Sequence, residues 1–264
     1  MAPEMPFHIG WLDLLAAGAL ILVAVALSAW QRLGLGSRIV IGAVRATVQL
    51  VAVGYVLVWL FTADRWYLVL AVLAAMVVVA TFTAAGRLAR DRRERRLILP
   101  LAGAAILGGS ALTLVYVSTV IVHVTPWYNP RYLIPLFGMI VANAMNAAAI
   151  ALERLQSEME ARRGEVEAYL ALGATPAQAA AEAVGKAIAA GVVPAINALA
   201  VVGVVSLPGM MTGQIIAGQA PTEAVRYQIV VTYMITAAVT VASLAAALWS
   251  YRQFFTREHQ LLAE

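Results

Sequence analysis

Long apolar runs separated by short polar segments form the dominant pattern along the chain. A helix needs about 20 mostly apolar residues to cross a bilayer, and seven runs reach roughly that length. We predict membrane helices at roughly residues 11–30, 39–61, 66–86, 98–122, 132–152, 187–207 and 227–250. The pattern therefore predicts an all-α polytopic membrane protein, with about seven transmembrane helices in a single membrane domain over residues 1–264.

One polar segment, residues 153–186, is longer than the others. Its first part, ERLQSEMEARRGEVEAYLALG, keeps a loose helical spacing of apolar residues with charges between them. Gly173 stands where a helix ends in a left-handed residue. Thr175 and Gln178 then form a capping-box pattern, with Pro176 at the first helical position. We predict that this segment is a helical hairpin that projects from the membrane.

Composition agrees with a membrane protein and excludes several kinds of chemistry. The chain is 62% hydrophobic and 12% charged, with a mean hydropathy of +0.85. A soluble domain averages about 45–50% apolar and about 25% charged residues. The absence of cysteine excludes disulfides, thiolate metal sites and thiol catalysis. The three histidines are scattered, which argues against a histidine metal cage, and the identity of any metal ligands stays unknown.

The basic residues sort to one side of the predicted membrane helices. Fourteen of the 18 Lys and Arg residues follow spans one, three, five and seven, whereas Arg65, Arg131 and Arg226 fall on the other side. Because basic loops stay cytoplasmic, we predict an outside N-terminus, an inside C-terminus and a cytoplasmic hairpin. This topology explains the net charge of +4, so we expect contacts with membrane lipids and no nucleic-acid partner.

The sequence carries no recognisable site for ATP hydrolysis or ion coupling. Lys186, the one lysine, follows Gly185, but Ala180 and Ala187 stand where a phosphate-binding loop needs a glycine and a hydroxyl residue. Ion-coupled transporters usually keep acidic groups inside their spans, and here the acidic residues cluster in loops. We therefore expect that the chain binds no cofactor, and this absence fits an energy source supplied by a partner protein, which would bind ATP and Mg if it is the ATPase that the resemblances described below imply.

Two pairs of polar residues fall inside predicted spans. Arg45 and Gln49 are one helical turn apart in span two. Together they line a polar path or join two helices, or Arg45 reaches back to the cytoplasmic surface. Asn143 and Asn146 share one face of span five, which Glu153 continues. Since buried amides require hydrogen bonds, the asparagines either join two helices or line a translocation path.

The segment SLPGMMTGQIIAGQAP follows span six and interrupts its helix at Pro208. Irregular backbone at membrane depth persists only where protein or a water-filled cavity covers it. Met210 and Met211 supply soft thioethers, and Gln214 supplies an amide. The segment is therefore either an apolar plug or re-entrant turn, or a gate that contacts a transported substrate.

The hairpin resembles a known docking motif. Its Glu167, Ala168 and Gly173 match the front of the E-A-A-x-x-x-G loop of ABC-transporter permeases, although the Ile-x-Leu-Pro rear of that signature is absent. In that family the loop docks into a groove on a cytosolic ATPase. The resemblance implies a coupling element formed by Glu167, Ala168, Gly173, Ala174, Thr175 and Pro176.

A second resemblance covers nearly the whole chain. Four segments of the chain resemble the FetB (YbbM) family. They are RATVQL (45–50), GMIVANAMNAAAIALERL (138–155), EAYLALGATPAQA (167–179) and VSLPGMMTGQIIAGQAP (205–221). That family is the permease half of a bacterial iron-export ABC transporter, and its plant relatives act in aluminium tolerance. The resemblance implies a permease that exports iron or a related heavy metal across the bacterial cytoplasmic (inner) membrane, driven by a separate ATPase of the FetA type. We expect a homodimer with two ATPases.

Three other functions stay open. An ABC permease for a nucleotide-sugar or amphiphile would couple in the same way to a different substrate. A membrane scaffold or sensor would use the hairpin only to recruit a cytosolic partner, and its asparagines would be buried away from water. A secondary transporter would depend on an ion gradient and work without an ATPase. None of these functions is enzymatic, so we predict no catalytic residues.

Overall fold

A computed structural model describes residues 10–63, 65–88, 92–121, 123, 125–256 and 258–262. Its helices are α1 (Trp11–Trp30), α2 (Gly36–Ala63), α3 (Trp66–Leu88), α4 (Arg92–Tyr116), α5 (Pro130–Ala161), α6 (Arg163–Ala171), α7 (Pro176–Ala179), α8 (Ala181–Val201), α9 (Gly209–Ile216) and α10 (Pro221–Ser250). A π-helical turn, Val117–Ile121, continues α4, and a 3₁₀ turn, Tyr251–Phe254, follows α10. Part of the predicted basic loop, residues 89–91, lies outside the described residues.

Seven helices in the described part of the chain are long and apolar enough to cross a membrane. They correspond in order to the seven predicted spans, and no strand occurs among the described residues apart from isolated bridges. The predicted all-α polytopic fold is therefore confirmed. Helix α5 has 32 residues, or about 48 Å at 1.5 Å per residue, which exceeds a hydrocarbon core of about 30 Å. Its excess length carries the chain into the predicted hairpin.

The sixth span is placed differently from the prediction. Helix α8 begins at Ala181 and ends at Val201, whereas the apolar pattern predicted a helix over 187–207. Val202 is extended, and Gly203 has a φ of +84°, a left-handed conformation that glycine adopts without strain. The helix therefore ends at Val201, before Pro208. The valines after Gly203 are apolar but not helical, so the apolar pattern extends beyond the helix.

The first of two compact units consists of α1 and α2 with residues 216–218. The two helices pack together and are joined by a tight turn. In that turn the backbone N–H of Leu35 donates to Ser28 Oγ at 3.1 Å, and Gly34 has a φ of +68°. Most side chains of both helices are exposed, as expected for helices that face lipid or a partner chain.

The second unit contains α3 to α8, α10 and most of α9. Its core is built around α5 and α10, which pack against each other and against α4 and α8. Small residues allow close approach: a Cβ on Gly109 would lie 2.8 Å from the carbonyl oxygen of Ala238, and one on Gly191 would lie 2.4 Å from Ser243 Oγ. This kind of contact is typical of helix packing in membranes.

Candidate functional site

The second unit encloses a cavity of about 620 Å³ between α5, α8 and α10. Small-molecule sites occupy about 300–1,000 Å³. Most of the wall is apolar, and Glu153 is the only charged side chain among the described residues that line it. The neutral polar lining residues are Asn143, Asn146, Ser206, Gln228, Thr232 and Thr236.

Helix α5 forms the first wall of this cavity. Asn143 and Asn146 both line it, and Ile150 and Glu153 continue the same face, as the helical period predicts. The side-chain Nδ2 of Asn143 donates to the carbonyl oxygen of Met139 at 2.8 Å. The predicted shared face is confirmed, and a role of these residues in translocation stays a prediction.

Helix α10 forms the second wall through a polar ladder. The hydroxyl of Thr232 donates to the carbonyl of Gln228 at 2.8 Å, Thr236 donates to Thr232 at 2.9 Å, and Thr240 donates to Thr236 at 2.8 Å. Gln228, Thr232 and Thr236 line the cavity. The ladder was not predicted from the sequence, although a polar residue at every fourth position of an apolar helix is a detectable signal.

Helix α8 forms the third wall and leaves room for the cavity. Its lining positions are small, since Gly191, Ala195 and Ala198 follow one another at helical spacing. Pro194 also lines the cavity, and it lacks the N–H that would continue the helical hydrogen bonds. The absence of large side chains on this face explains why the tight packing of α5 and α10 opens into a cavity here.

The methionines of the predicted gate do not reach the cavity wall. Met210, Met211 and Gln214 lie on the short helix α9, and all three are partly buried. Pro208, just before this helix, does line the cavity. Gln214 Oε1 is buried without a hydrogen-bond partner in the described structure. Among the residues described, no group of three or more His, Asp or Glu side chains is arranged to hold a metal ion.

The other predicted pair, Arg45 and Gln49, belongs to the first unit. Both lie on α2, one turn apart, and both side chains are exposed. Asn143 and Asn146 thus lie on one wall of the cavity. Arg45 and Gln49 belong to the other compact unit of the chain.

The hairpin has the caps that the sequence predicts. Gly173 has a φ of +90° and ends the first arm in the left-handed conformation. Thr175 Oγ1 accepts from the N–H of Gln178 at 3.3 Å, and Gln178 Oε1 accepts from the N–H of Thr175 at 2.9 Å. The capping box is therefore confirmed. At the turn, Leu172 leaves 86% of its surface exposed, unusual for a leucine beside polar caps.

A charge network ties the hairpin to two helices of the cavity. Glu158 at the end of α5 is only 8% exposed and lies 2.6 Å from Arg154, 3.7 Å from Arg162 and 3.4 Å from Lys186. Glu182 of α8 pairs with Arg162 and, at 3.2 Å, with Lys186. Its hydrogen bond raises the pKa of Arg162 above the usual value. The hairpin base, α5 and α8 are thereby held together.

The C-terminal segment folds back onto the hairpin. Phe254, Phe255 and Leu261 pack against an apolar cluster formed by residues of α5, α6, α7, α8 and α10. Arg163 donates a hydrogen bond to the carbonyl oxygen of Leu262 at 3.1 Å. The hairpin and the C-terminal segment therefore lie at the same end of the second unit, as the predicted topology requires.

A notch of about 540 Å³ separates this segment from the turn of the hairpin. It is lined by Glu167, Leu170, Gly173, Ala174, Glu258, His259, Gln260 and Leu261. Of the six predicted coupling residues, three border the notch. The glutamate among them, Glu167, is paired with Arg163 at 3.1 Å.

Comparison with known proteins places the chain among membrane proteins. The model of the Uncharacterised protein family (UPF0014) matches residues 11–255. A UPF0014 membrane protein of Synechocystis sp. is 41% identical and covers 96% of this chain and 95% of its own length. The Protein ALUMINUM SENSITIVE 3 of Arabidopsis thaliana is 36% identical, over 93% of this chain and 88% of that protein. No solved structure matches the chain.

The resemblance to the FetB family is also confirmed. The Probable iron export permease protein FetB of Escherichia coli is 34% identical, over 92% of this chain and 91% of that protein. The Synechocystis relative is named a membrane protein and the Escherichia coli relative a permease, in agreement with the seven apolar helices and with a transport subunit. The chain therefore belongs to the UPF0014 family and is a multi-pass membrane protein, the kind that in bacteria resides in the inner membrane.

Proposed function

We propose that the chain is the permease subunit of an ABC transporter that exports iron or a related heavy metal, driven by a separate ATPase subunit. The observation that carries this proposal is the capped hairpin, whose base is joined by ion pairs to α5 and α8. Those helices also line the cavity. A push on the hairpin would therefore move two of the three cavity walls.

The docking surface for the ATPase is the turn of the hairpin with its neighbouring notch. Leu172 offers an exposed apolar side chain, and Gly173 and Ala174 leave the backbone approachable beside it. Removal of an apolar side chain from water at an interface is favourable. In the proposed assembly two permeases bind two ATPases, and ATP and Mg are bound by the ATPases alone.

Movement of the ATPases would open the cavity to one side of the membrane and then to the other. Rigid-body rocking of packed helices is a common way of converting a local change into domain motion. In this chain the stiff connection runs through Glu158, Arg162 and Lys186, because each of them contacts a partner on another element. The cavity would open to the opposite side of the membrane when α5 and α8 rotate against α10.

The cargo proposal is supported by the relatives. One is named a probable iron export permease and another a protein of aluminium sensitivity, so a metal-related cargo accounts for both names. A second candidate is a nucleotide-sugar or amphiphile, which the size of the cavity favours, since about 620 Å³ matches sites for organic molecules. A scaffold function is less well supported because Asn143 and Asn146 face a cavity.

The docking proposal is tested by co-purification with the ATPase subunit. We expect Gly173→Pro and Glu167→Lys to reduce the recovered ATPase at least fivefold, because one changes the left-handed turn and the other reverses a charge at the notch. Gly164→Ala is the matched control, since a Cβ there contacts nothing within 4 Å. Undiminished recovery of the ATPase with both variants would contradict docking at this turn.

Transport itself is tested with the co-purified complex in proteoliposomes. We expect iron to stimulate ATP hydrolysis and to move across the bilayer only when ATP is present. A scaffold predicts ATPase binding without stimulation by any cargo. Transport that persists without the ATPase and follows an ion gradient would instead establish a secondary transporter.

A further inference from the structure

Gln228 differs from the other polar residues of the cavity. It lies on α10, lines the cavity and is 8% exposed, so its amide is nearly removed from solvent. Its Oε1 is buried and has no hydrogen-bond partner among the described protein atoms. Buried polar atoms without partners are uncommon, and each one requires a physical explanation.

The neighbouring hydrogen bonds fix which way the amide points. Thr232 uses its hydroxyl hydrogen to donate to the carbonyl oxygen of Gln228 at 2.8 Å. Its Oγ1 is then an acceptor, and it receives the side-chain Nε2 of Gln228 at 3.2 Å. In this arrangement the Nε2 is bonded to Thr232, and the Oε1 is the atom left for an external donor.

An acceptor left without a partner at this depth is unfavourable. A buried polar group without a hydrogen-bond partner keeps the full cost of its removal from water. The structure therefore does not use the Oε1 of Gln228 to hold its helices together. A group that enters the cavity and donates a hydrogen bond would recover this energy.

We propose that Gln228 contacts the cargo, accepting a hydrogen bond from an O–H group on its outer surface, so that the cargo crosses as a hydrated or ligand-bound species. This inference rests on the proposed function and specifies the class of its substrate. The donor is a metal-bound water or a hydroxyl of an organic ligand, which present the same chemistry to the amide oxygen.

The lining and the size of the cavity support this class of cargo. Six neutral amide or hydroxyl side chains and one carboxylate are suited to hydrogen bonding with an outer shell of ligands. Six waters around a metal ion occupy about 180 Å³ at about 30 Å³ each, well within about 620 Å³. Small, strongly hydrated cations also give up their waters reluctantly.

The first experiment compares variants of the permease–ATPase complex in nanodiscs. The probes are aqueous Fe(II) without oxygen and ferric citrate, and the measurement is the half-saturating concentration for stimulated ATP hydrolysis. Gln228→Met removes the acceptor at similar size, and we expect it to raise this concentration about fivefold to tenfold for at least one probe. Gln228→Glu keeps an acceptor and is expected to stay within about twofold of the native chain or bind the cation more tightly.

The two probes distinguish the source of the O–H group. A change with both probes indicates metal-bound water, and a change with ferric citrate alone indicates the organic ligand. Thr240→Val is the control, because Thr240 continues the ladder on α10 without lining the cavity. Half-saturating concentrations that are equal in the native chain and in Gln228→Met for both probes would overturn the inference.

A second measurement does not depend on the cargo. Thermal unfolding of the permease without cargo should show Gln228→Met as stable as the native chain or more so, because the substitution removes an unsatisfied acceptor. A fall of several degrees would show that the amide is structural and would reject a cargo contact. If neither probe stimulates either protein, the inference fails together with the iron proposal, whereas equal stimulation of the two proteins overturns the inference alone.

Discussion

Two adjacent glycines of α4 show how strongly packing depends on one residue. A Cβ on Gly109 would lie 2.8 Å from the carbonyl oxygen of Ala238 and 3.2 Å from the backbone nitrogen of Ala242. A Cβ on Gly108 would meet nothing within 4 Å. The sequence GG at this point does not say which glycine faces α10, because that depends on how the helices are rotated against each other.

We expect Gly109→Ala to destabilise the protein. Overpacking of a tight core costs about 1–3 kcal/mol, and here the new methyl would press against backbone atoms that cannot move aside. The melting temperature in detergent should fall by several degrees. Gly108→Ala should leave it unchanged or slightly raised, since alanine favours helix. Equal melting temperatures for the two variants would refute this account of α4 and α10.

Asn143 allows a second prediction at the scale of single residues. It lines the cavity from α5, and leucine would replace its amide with an apolar side chain of similar volume. We expect Asn143→Leu to alter cargo-stimulated ATP hydrolysis by about threefold or more, with co-purification of the ATPase unaffected. Thr83→Val, which changes a partly exposed threonine of α3 that does not line the cavity, serves as control. Native kinetics in Asn143→Leu would remove this residue from the translocation path.

At the scale of elements, Glu158 connects α5 to the hairpin and α8. Its carboxylate is nearly buried and has three basic neighbours, of which Arg154 and Lys186 are about half exposed. Solvent screening reduces the value of each pair, but loss of Glu158 removes the one acid that all three bases share, and only Arg162 and Lys186 keep Glu182 as a partner. The connection therefore depends on this one residue more than on any of its partners.

We expect Glu158→Gln to loosen the hairpin by about 1–2 kcal/mol. Hydrogen exchange should increase in α6 and α7, which adjoin the network, before it increases in α3. Glu223→Gln is the control, because Glu223 forms an exposed pair with Arg226 at 3.1 Å. If exchange in the hairpin is the same for both variants, the charge network does not hold it.

At the scale of the whole molecule, the C-terminal segment becomes part of the hairpin. Leu261 packs against the apolar cluster, whereas the side chain of the next residue, Leu262, is 47% exposed. The segment is held by the apolar contacts of Phe254, Phe255 and Leu261, by the hydrogen bond from Arg163, and by the N–H of Leu262, which donates to the carbonyl oxygen of Phe254 at 2.9 Å. Its position beside the turn also makes it one wall of the notch in the proposed docking surface.

We expect Leu261→Asp to release this segment. A charged side chain cannot stay in the apolar cluster, so trypsin should cleave after Arg252 at least fivefold faster than in the native chain. Leu262→Asp places the same charge at an exposed position and should leave cleavage unchanged. Equal rates for the two variants would show that the segment is not anchored through Leu261.

Much of the fold could be predicted because its signals are local. The caps of Gly173 and Thr175 depend on residues within one turn, and both are confirmed. The shared face of Asn143 and Asn146 follows from the helical period alone and is also confirmed. The end of α8 was predicted wrongly, because apolar content does not distinguish a helix from the extended backbone around Gly203.

The sequence by itself determined the helical class, the number of apolar spans and the caps of the hairpin. In a bilayer each span satisfies its own backbone hydrogen bonds, so the length of an apolar run is sufficient to predict a membrane-spanning helix. Only the tertiary structure decided that Gln228 faces Asn143 across one cavity while Met210 and Met211 lie outside its wall. The physical reason is that such neighbours are set by the rotation and close approach of α5, α8 and α10, which depend on contacts between residues far apart in the chain.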